Sequence, residues 1–214
     1  MKRLFHTLAT LSLLLVLFSC TAQTKKKGLD TKINLNPPAG KAIAAFAEGC
    51  FWCSEHIFEA VVGIDSAVSG YAGGTIPNPT YELVNTETTG HAESILVYYD
   101  PNVITFQELL KVFFTSHDPT TLDRQGPDQG NSYRSIVFYK TPEEKAFAEQ
   151  AKKDFAKSFK NPIVSEIKEL KEFYNAESYH QNYIEHNPYS SYVQGVSIPR
   201  FELFKRTYKG KLKQ

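Results

Sequence analysis

The chain has 214 residues, with 24 Lys and Arg against 23 Asp and Glu and 42% hydrophobic residues. That balance offers no basic field for nucleic acid, and residues 41–214 are enough for one domain with a substantial core. Three cysteines are too few to staple such a fold, so a close pair of them reads as chemistry rather than scaffold.

The first twenty residues, MKRLFHTLATLSLLLVLFSC, start with Lys2 and Arg3, run apolar from Leu8 to Phe18 and stop at Cys20. The run is short for a membrane span and has the build of an export signal. LFSC resembles a bacterial lipobox, which makes 1–19 a lipoprotein-type signal peptide and Cys20 the lipidated N-terminus of the mature chain. The alternative is an ordinary signal peptide with a chance cysteine beside its cleavage site. Without Lys2 and Arg3 the basic count is 22, a formal charge near −1. Residues 20–40, with three lysines and Pro37-Pro38, are expected to be a flexible tether. The expected location is therefore a bacterial cell envelope, on the periplasmic or outer face, with a membrane-held lipid anchor.

Further along, KAIAAFAEG (41–49) reads as a strand, and FWCSEHIFEAVVG follows with helical spacing. Ile57, Ala60 and Val61 share a face there beside Phe58, and Gly63 stops the helix. Residues 64–74 read as a strand running into a Gly-rich turn, 76–90 as a loop, and HAESILVYYDP (91–101) as a strand closed by Asp-Pro. In 105–117, Phe106, Leu109, Leu110 and Phe113 recur at helical spacing. Residues 133–140 form another strand. The segment 141–159 starts as a helix, with Thr141 as cap, Pro142 at the first position, Glu144 closing a capping box, and a stripe of Phe147, Ala151 and Phe155. Residues 163–170 alternate like a strand, and 176–188 read as a short helix stopped by Pro188. This order implies an α+β, ferredoxin-like sandwich, its mixed sheet built from split βαβ units, followed by an irregular C-terminal tail.

One connection is long. The 18 residues TSHDPTTLDRQGPDQGNS (115–132) lack periodicity, and such a loop in a compact domain is usually functional. Its Asp118, Asp123 and Asp128 do not have the spacing of a helix–loop–helix calcium site.

The chemistry concentrates in EGCFWCSEHIFEAV. Cys50 stands where the first strand gives way to a helix, and the unpaired N–H groups and dipole there favour a thiolate. Cys53 lies one turn on, on the same face, suiting a nucleophile with a resolving thiol. Three other readings stay open at this point. Two small buried side chains would need no function. A zinc site would need two further ligands, and His180 and His186 are six residues apart, outside the usual spacing. A thioredoxin-like dithiol enzyme fits the C-x-x-C that starts a helix but not the surrounding order of elements.

GCFWC (49–53), SGYAGG (69–74), NPTYELV (78–84), TGHAESILVYYDP (89–101), GPDQGNSYRSIVFY (126–139) and FYNAESYHQNYIEHNP (173–188) occur in this order. Together they resemble the A-type peptide methionine sulfoxide reductases over nearly all of 42–205. The resemblance implies reduction of methionine S-sulfoxide, free and in proteins, without metal or organic cofactor. It makes Cys50 the nucleophile that becomes a sulfenic acid, and Glu93 an acid kept protonated by desolvation. Tyr81 and Tyr133 would hydrogen-bond the sulfoxide oxygen, with Asp128 beside them. Phe51 and Trp52 would receive the substrate methyl. Partners would be oxidised-methionine proteins and peptides and a thioredoxin-like reductant, and the chain is expected to be a monomer.

One departure from that pattern matters. Many family members carry a resolving cysteine in the C-terminal tail, and the tail from Asn187 onward has none. Cys53 is left to attack the sulfenic acid and form a Cys50–Cys53 disulfide for a thioredoxin-like donor to reduce. A one-cysteine cycle with an external thiol is the alternative. A protein disulfide oxidoreductase, or a lipid-anchored binding domain without catalysis, would be different functions on the same chain.

Overall fold

The structure is a computed structural model and describes residues 31–214; the expected signal peptide, Cys20 and the tether up to residue 30 lie outside the described residues. In chain order it contains β1 (Ala42–Glu48), α1 (Phe51–Glu59), β2 (Ile64–Ala72), the one-turn α2 (Tyr81–Val84), β3 (Ala92–Tyr99) and α3 (Phe106–Ser116). A two-residue hairpin follows, β4 (Arg124–Gln125) and β5 (Asp128–Gln129), then β6 (Ser135–Tyr139) and α4 (Pro142–Ala156). The chain continues through β7 (Glu166–Glu169), β8 (Phe173–Asn175), α5 (Tyr183–His186) and α6 (Ile198–Thr207).

Six strands form one sheet in the order β7-β6-β1-β3-β2-β8. The β6–β7 pair is parallel and the others antiparallel. Helix α1 carries the chain from β1 to β2 around β3, and α3 carries it from β3 to β6 around β1. These are the two split βαβ crossovers of a ferredoxin-like sandwich, as the order of elements implied.

Alternation along β1 supplies both faces of the sheet. Ala44 and Phe46 face α1 and α3, where Phe46 stacks on Phe58 and Phe113 with ring centroids 5.1 and 5.5 Å apart. Ile43, Ala45 and Ala47 face the other way, against Leu96, Ile136, Phe138 and Phe173. A strand covered on both faces reads as a continuous apolar run, and that is the pattern of 42–47. The Phe106, Leu109, Leu110 and Phe113 face of α3 is buried, and its N-terminus carries a capping box of Thr105 and Glu108. The Thr141–Glu144 capping box and Pro142 also form as expected.

Four expectations are corrected. The tether does not reach residue 40: Ile33 N–H donates to Phe173 O at 2.8 Å, Asn175 N–H donates to Thr31 O at 2.7 Å, and Ile33 and Leu35 pack on the second face. Alternating apolar residues there cover the otherwise bare edge of β8. That strand, β8, was not expected, because three residues are too few to show a period. The C-terminal tail is not irregular but contains α6, which has Pro199 in its first turn and a fully buried Phe204. Beyond α6, Val62 N–H donates to Lys211 O and Lys213 N–H to Ala60 O, pinning the end of the chain beside α1. In α4 the buried position is Ala148, while Phe147 is 40% exposed. The helix turns its small residue inward, and Phe155 stacks on Phe114 at 5.1 Å.

The turn from β1 to α1 has a strict requirement. Gly49 has φ +90°, and a Cβ there would run into the Gln125 side chain of the long loop. We expect Gly49→Ala to cost about 2–4 kcal/mol, from backbone strain plus overpacking. Its melting temperature should fall by roughly 5–10 °C in a thermal scan.

Candidate active site

The turn after Gly49 puts Cys50 at the threshold of α1, with its sulfur in a cavity of about 310 Å³. Phe51, Trp52, Tyr81, Glu93, Asp128 and Tyr133 share this cavity with it, together with Tyr183 and Tyr192. Every expected catalytic or substrate-binding residue except Cys53 is therefore a wall of one chamber. Among the described residues no group of three or more His, Cys, Asp or Glu side chains is placed to hold a metal ion.

Strand β3 carries Glu93 into this chamber at 2% exposure. Burial pushes its carboxyl up to about 8, and nearby Asp128 and Cys53 push the same way. Only the Phe51 N–H, which donates to Oε2 at 3.0 Å, pulls strongly against them. The group is mostly protonated at neutral pH and can donate a proton.

That hydrogen bond also corrects the expectation for Cys50. The first N–H of α1 is directed at Glu93 and not at the sulfur. Burial, and then the neighbouring Cys53, hold the Cys50 thiol above the ordinary range. Cys53 is pulled down instead, first by its hydrogen bond with Cys50 and then by Arg200 and Ser197 against the cost of burial. The two thiols thus share one proton easily lost and one tightly held. The helix-start lowering expected at Cys50 is opposed there by burial, and the readily lost proton belongs to the pair.

The aromatic walls are held from behind. Trp52 stacks on Tyr183 at 3.6 Å with rings 6° from parallel, and its Nε1–H donates to His180 Nδ1 at 3.0 Å. Tyr183 reaches Trp52 because Asn182 takes a left-handed turn at φ +51°, which asparagine tolerates. The Asn182 N–H is caught at 3.0 Å by Glu55, a buried carboxylate of α1 whose Oε2 also accepts from Ser69 Oγ. Tyr81 is the first residue of α2, and its N–H donates to Glu177 Oε1 at 3.0 Å. Tyr133 closes a short 3₁₀ turn whose Ser132 donates from both N–H and Oγ to Glu87, at 2.8 and 2.7 Å.

The long loop supplies Asp128, which accepts from Tyr192 Oη at 2.6 Å. Burial raises the Asp128 carboxyl, with the Tyr192 hydroxyl and Arg200 opposing. Tyr192 precedes a π-helical turn, Val193–Ser197, that leads into α6. Ser197 at its end lies 3.2 Å from the Cys53 sulfur. Arg200 follows, its Nη2 donating to Glu48 Oε1 at 2.7 Å and its Nε to Ser116 O at 2.8 Å.

Glu48 is wholly buried, and burial pushes its carboxyl up to about 7 although Arg200 and Ser116 pull it down. Removing Arg200 therefore leaves a buried acid that can take up a proton. We expect Arg200→Met to lose about 3–5 kcal/mol at pH 8 and less at pH 6. A carboxyl raised in the folded state gives stability that is full below its unfolded value and is lost as pH rises through the folded one. Urea titrations at the two pH values check this.

Apart from weighing His180 as a zinc ligand, sequence reasoning gave no role to Tyr183, Tyr192, His180, Ser197 or Arg200. The first and third fall inside FYNAESYHQNYIEHNP, a motif noted only as a whole. The other three lie in the tail, and their partners stand far off in sequence.

A buried thiol backed by a second one and facing a carboxyl that keeps its proton, in an aromatic chamber walled by tyrosines, defines a thiol-dependent reductase of a small oxygen-bearing group. The sequence profile described as Peptide methionine sulfoxide reductase matches residues 42–212. Peptide methionine sulfoxide reductase MsrA 1 of Rhodopirellula baltica is 45% identical over 174 residues, covering 81% of this chain and 91% of that protein. The MsrA of Leptospira borgpetersenii is 48% identical over 164 residues, covering 77% and 93%. The crystal structure of reduced Mxr1 from Saccharomyces cerevisiae superposes with a TM-score of 0.69 at 35% identity, covering 75% of this chain and 92% of that one. Mxr1 in complex with Trx2 superposes at 0.50 with 28% identity, covering 68% and 86%.

The chain belongs to the peptide methionine sulfoxide reductase family. It reduces methionine sulfoxide to methionine, a repair of oxidised protein.

Proposed function

We propose that Cys50 attacks the sulfur of the S epimer of methionine sulfoxide while Glu93 gives its proton to the oxygen. The Tyr81 and Tyr133 hydroxyls steady that oxygen, and Phe51 and Trp52 enclose the methyl. The oxygen passes to Cys50 as a sulfenic acid and methionine leaves. Cys53 then attacks the Cys50 sulfur, the S–O bond breaks, and the oxygen departs as water, leaving a Cys50–Cys53 disulfide. A thioredoxin-like dithiol reduces it, a partnership supported by the complex of the related yeast Mxr1 with Trx2.

The observation that carries this reading is the shared chamber of Cys50 and a Glu93 raised to about 8. The proton donor and the attacking sulfur face the same space. The test is incubation with a dithiol and a racemic methyl sulfoxide. Loss of the S epimer alone is expected. Insulin reduction without sulfoxide loss would mark a disulfide oxidoreductase instead, and neither activity a binding domain.

The lipobox-like LFSC motif supports a lipid anchor on Cys20 and export to the cell envelope. No helix among the described residues is long and apolar enough to cross a membrane. The mature chain would act as a monomer. Detergent-phase partitioning that disappears in Cys20→Ser tests the anchor, and gel filtration tests the monomer.

A further inference from the structure

Both cysteines are buried, Cys50 at 5% and Cys53 at 2% exposure, but only Cys50 borders a cavity. Cys50 lines the substrate chamber. Cys53, at 2% exposure, lines neither that chamber nor the larger groove of about 820 Å³ between the long loop and α6. Its sulfur lies 3.2 Å from Ser197 Oγ and within the field of the Arg200 guanidinium, which Glu48 and Ser116 hold in place. The π-helical turn Val193–Ser197 forms the wall on that side.

Disulfide exchange needs a thiolate to reach one sulfur while the other departs with the bonding pair, and departure is faster from a sulfur that holds charge well. Access favours attack at one sulfur here, and charge favours departure from the other. We propose that the reductant attacks Cys50 through the vacated methionine chamber, and that Cys53 is the leaving thiolate, received by Ser197 and Arg200. The proposal rests on the reading that Cys50 and Cys53 form the regenerating disulfide.

A thiolate of a dithiol protein bonds to Cys50 Sγ, the Cys50–Cys53 bond breaks, and its electron pair stays on Cys53. The Ser197 hydroxyl turns its proton toward that sulfur. The reductant's second thiolate then attacks its own sulfur in the mixed disulfide. Cys50 is released, takes up a proton, and shares it with Cys53. The enzyme disulfide is reduced and the reductant dithiol oxidised. Substrate and reductant thus use one mouth, so methionine must leave before regeneration starts. The cycle is ping-pong, and high sulfoxide competes with the reductant.

The enzyme is first oxidised with one equivalent of a methionine sulfoxide peptide and weighed intact. Loss of two hydrogens is expected; a sulfenic acid that persists instead would overturn both the disulfide reading and this proposal. The oxidised enzyme is then mixed with a thioredoxin whose second active-site cysteine is replaced by serine, quenched in acid and mapped by fragmentation mass spectrometry. The mixed disulfide is expected on Cys50; finding it on Cys53 would overturn this proposal and leave the disulfide reading intact.

Ser197→Ala supplies a second measurement. Exchange of its disulfide with dithiothreitol should slow by roughly ten- to a hundredfold, the effect of one lost hydrogen bond to a charged sulfur. Ser197→Thr, which keeps the hydroxyl, should restore the rate. In the reduced Ala variant the ultraviolet thiolate signal should appear at higher pH than in the parent. A folded Ser197→Ala with unchanged exchange and unchanged titration would overturn the leaving-group role.

Discussion

Glu93→Gln should lower kcat/KM for a methyl sulfoxide by about 10²- to 10⁴-fold, the range that a positioned proton donor contributes. The amide fits the same volume and still accepts the Phe51 N–H, so the loss belongs to the proton and not to a cavity. The pH profile separates the two causes. Activity needs an ionised dithiol and a protonated Glu93, so the alkaline limb should fall near the value of about 8 to which burial raises that carboxyl. In Glu93→Gln the residual activity should lose this limb and keep the acid one. An alkaline limb that survives unchanged would show that another group supplies the proton.

The same substitution has a stability consequence of defined sign. Glu93 is raised in the folded state, so its contribution is full below the unfolded carboxylate value and is lost as pH rises through about 8. Glu48 and Glu55, each pushed up to about 7 mainly by burial, add to the trend. The parent should therefore become easier to unfold in urea as pH climbs from 6 to about 8.5, and Glu93→Gln should show a shallower decline.

The parts legible in the sequence were those that repeat or cluster. The apolar spacing of 106–113 and the cap residues Thr141 and Glu144 mark helices by local rules alone, and the structure places both. Alternation could say that Glu93 sits on a strand but not which face is wet; only the family motif around it pointed inward. What escaped notice depends on distant partners. Ile33 and Leu35 look like tether until β8, about 140 residues later, offers an edge to pair with. Tyr192 is one tyrosine among twelve until Asp128 is placed 2.6 Å from its hydroxyl. Arg200 and Ser197 look like tail until α6 folds them against the wall behind Cys53. The setting of the thiol pair escaped notice for a similar reason. The helix start was visible at Cys50, but the carboxyl that occupies its first N–H comes from β3.

Cys53→Ser should separate the two halves of the cycle. Cys50 still faces the substrate chamber and Glu93, so one methionine should form per chain when sulfoxide is added without reductant. The first turnover should be slower, because the thiol that holds the shared negative charge beside Cys50 is gone. Continued turnover with a protein dithiol should fall by roughly 10²-fold or more, since an attack from within the site is replaced by one from solution. Dithiothreitol reaches Cys50 through the same 310 Å³ chamber as the protein donor and should lose a similar fraction of the rate. The comparison is a steady-state assay of both reductants on parent and variant, with the first turnover counted by rapid quench. If the protein dithiol drives the variant as fast as the parent, the external thiol reduces the Cys50 sulfenic acid directly and Cys53 has no resolving role. If the first turnover also disappears, Cys53 is needed to prepare the nucleophile itself, and the charge shared between the two sulfurs is part of the attack.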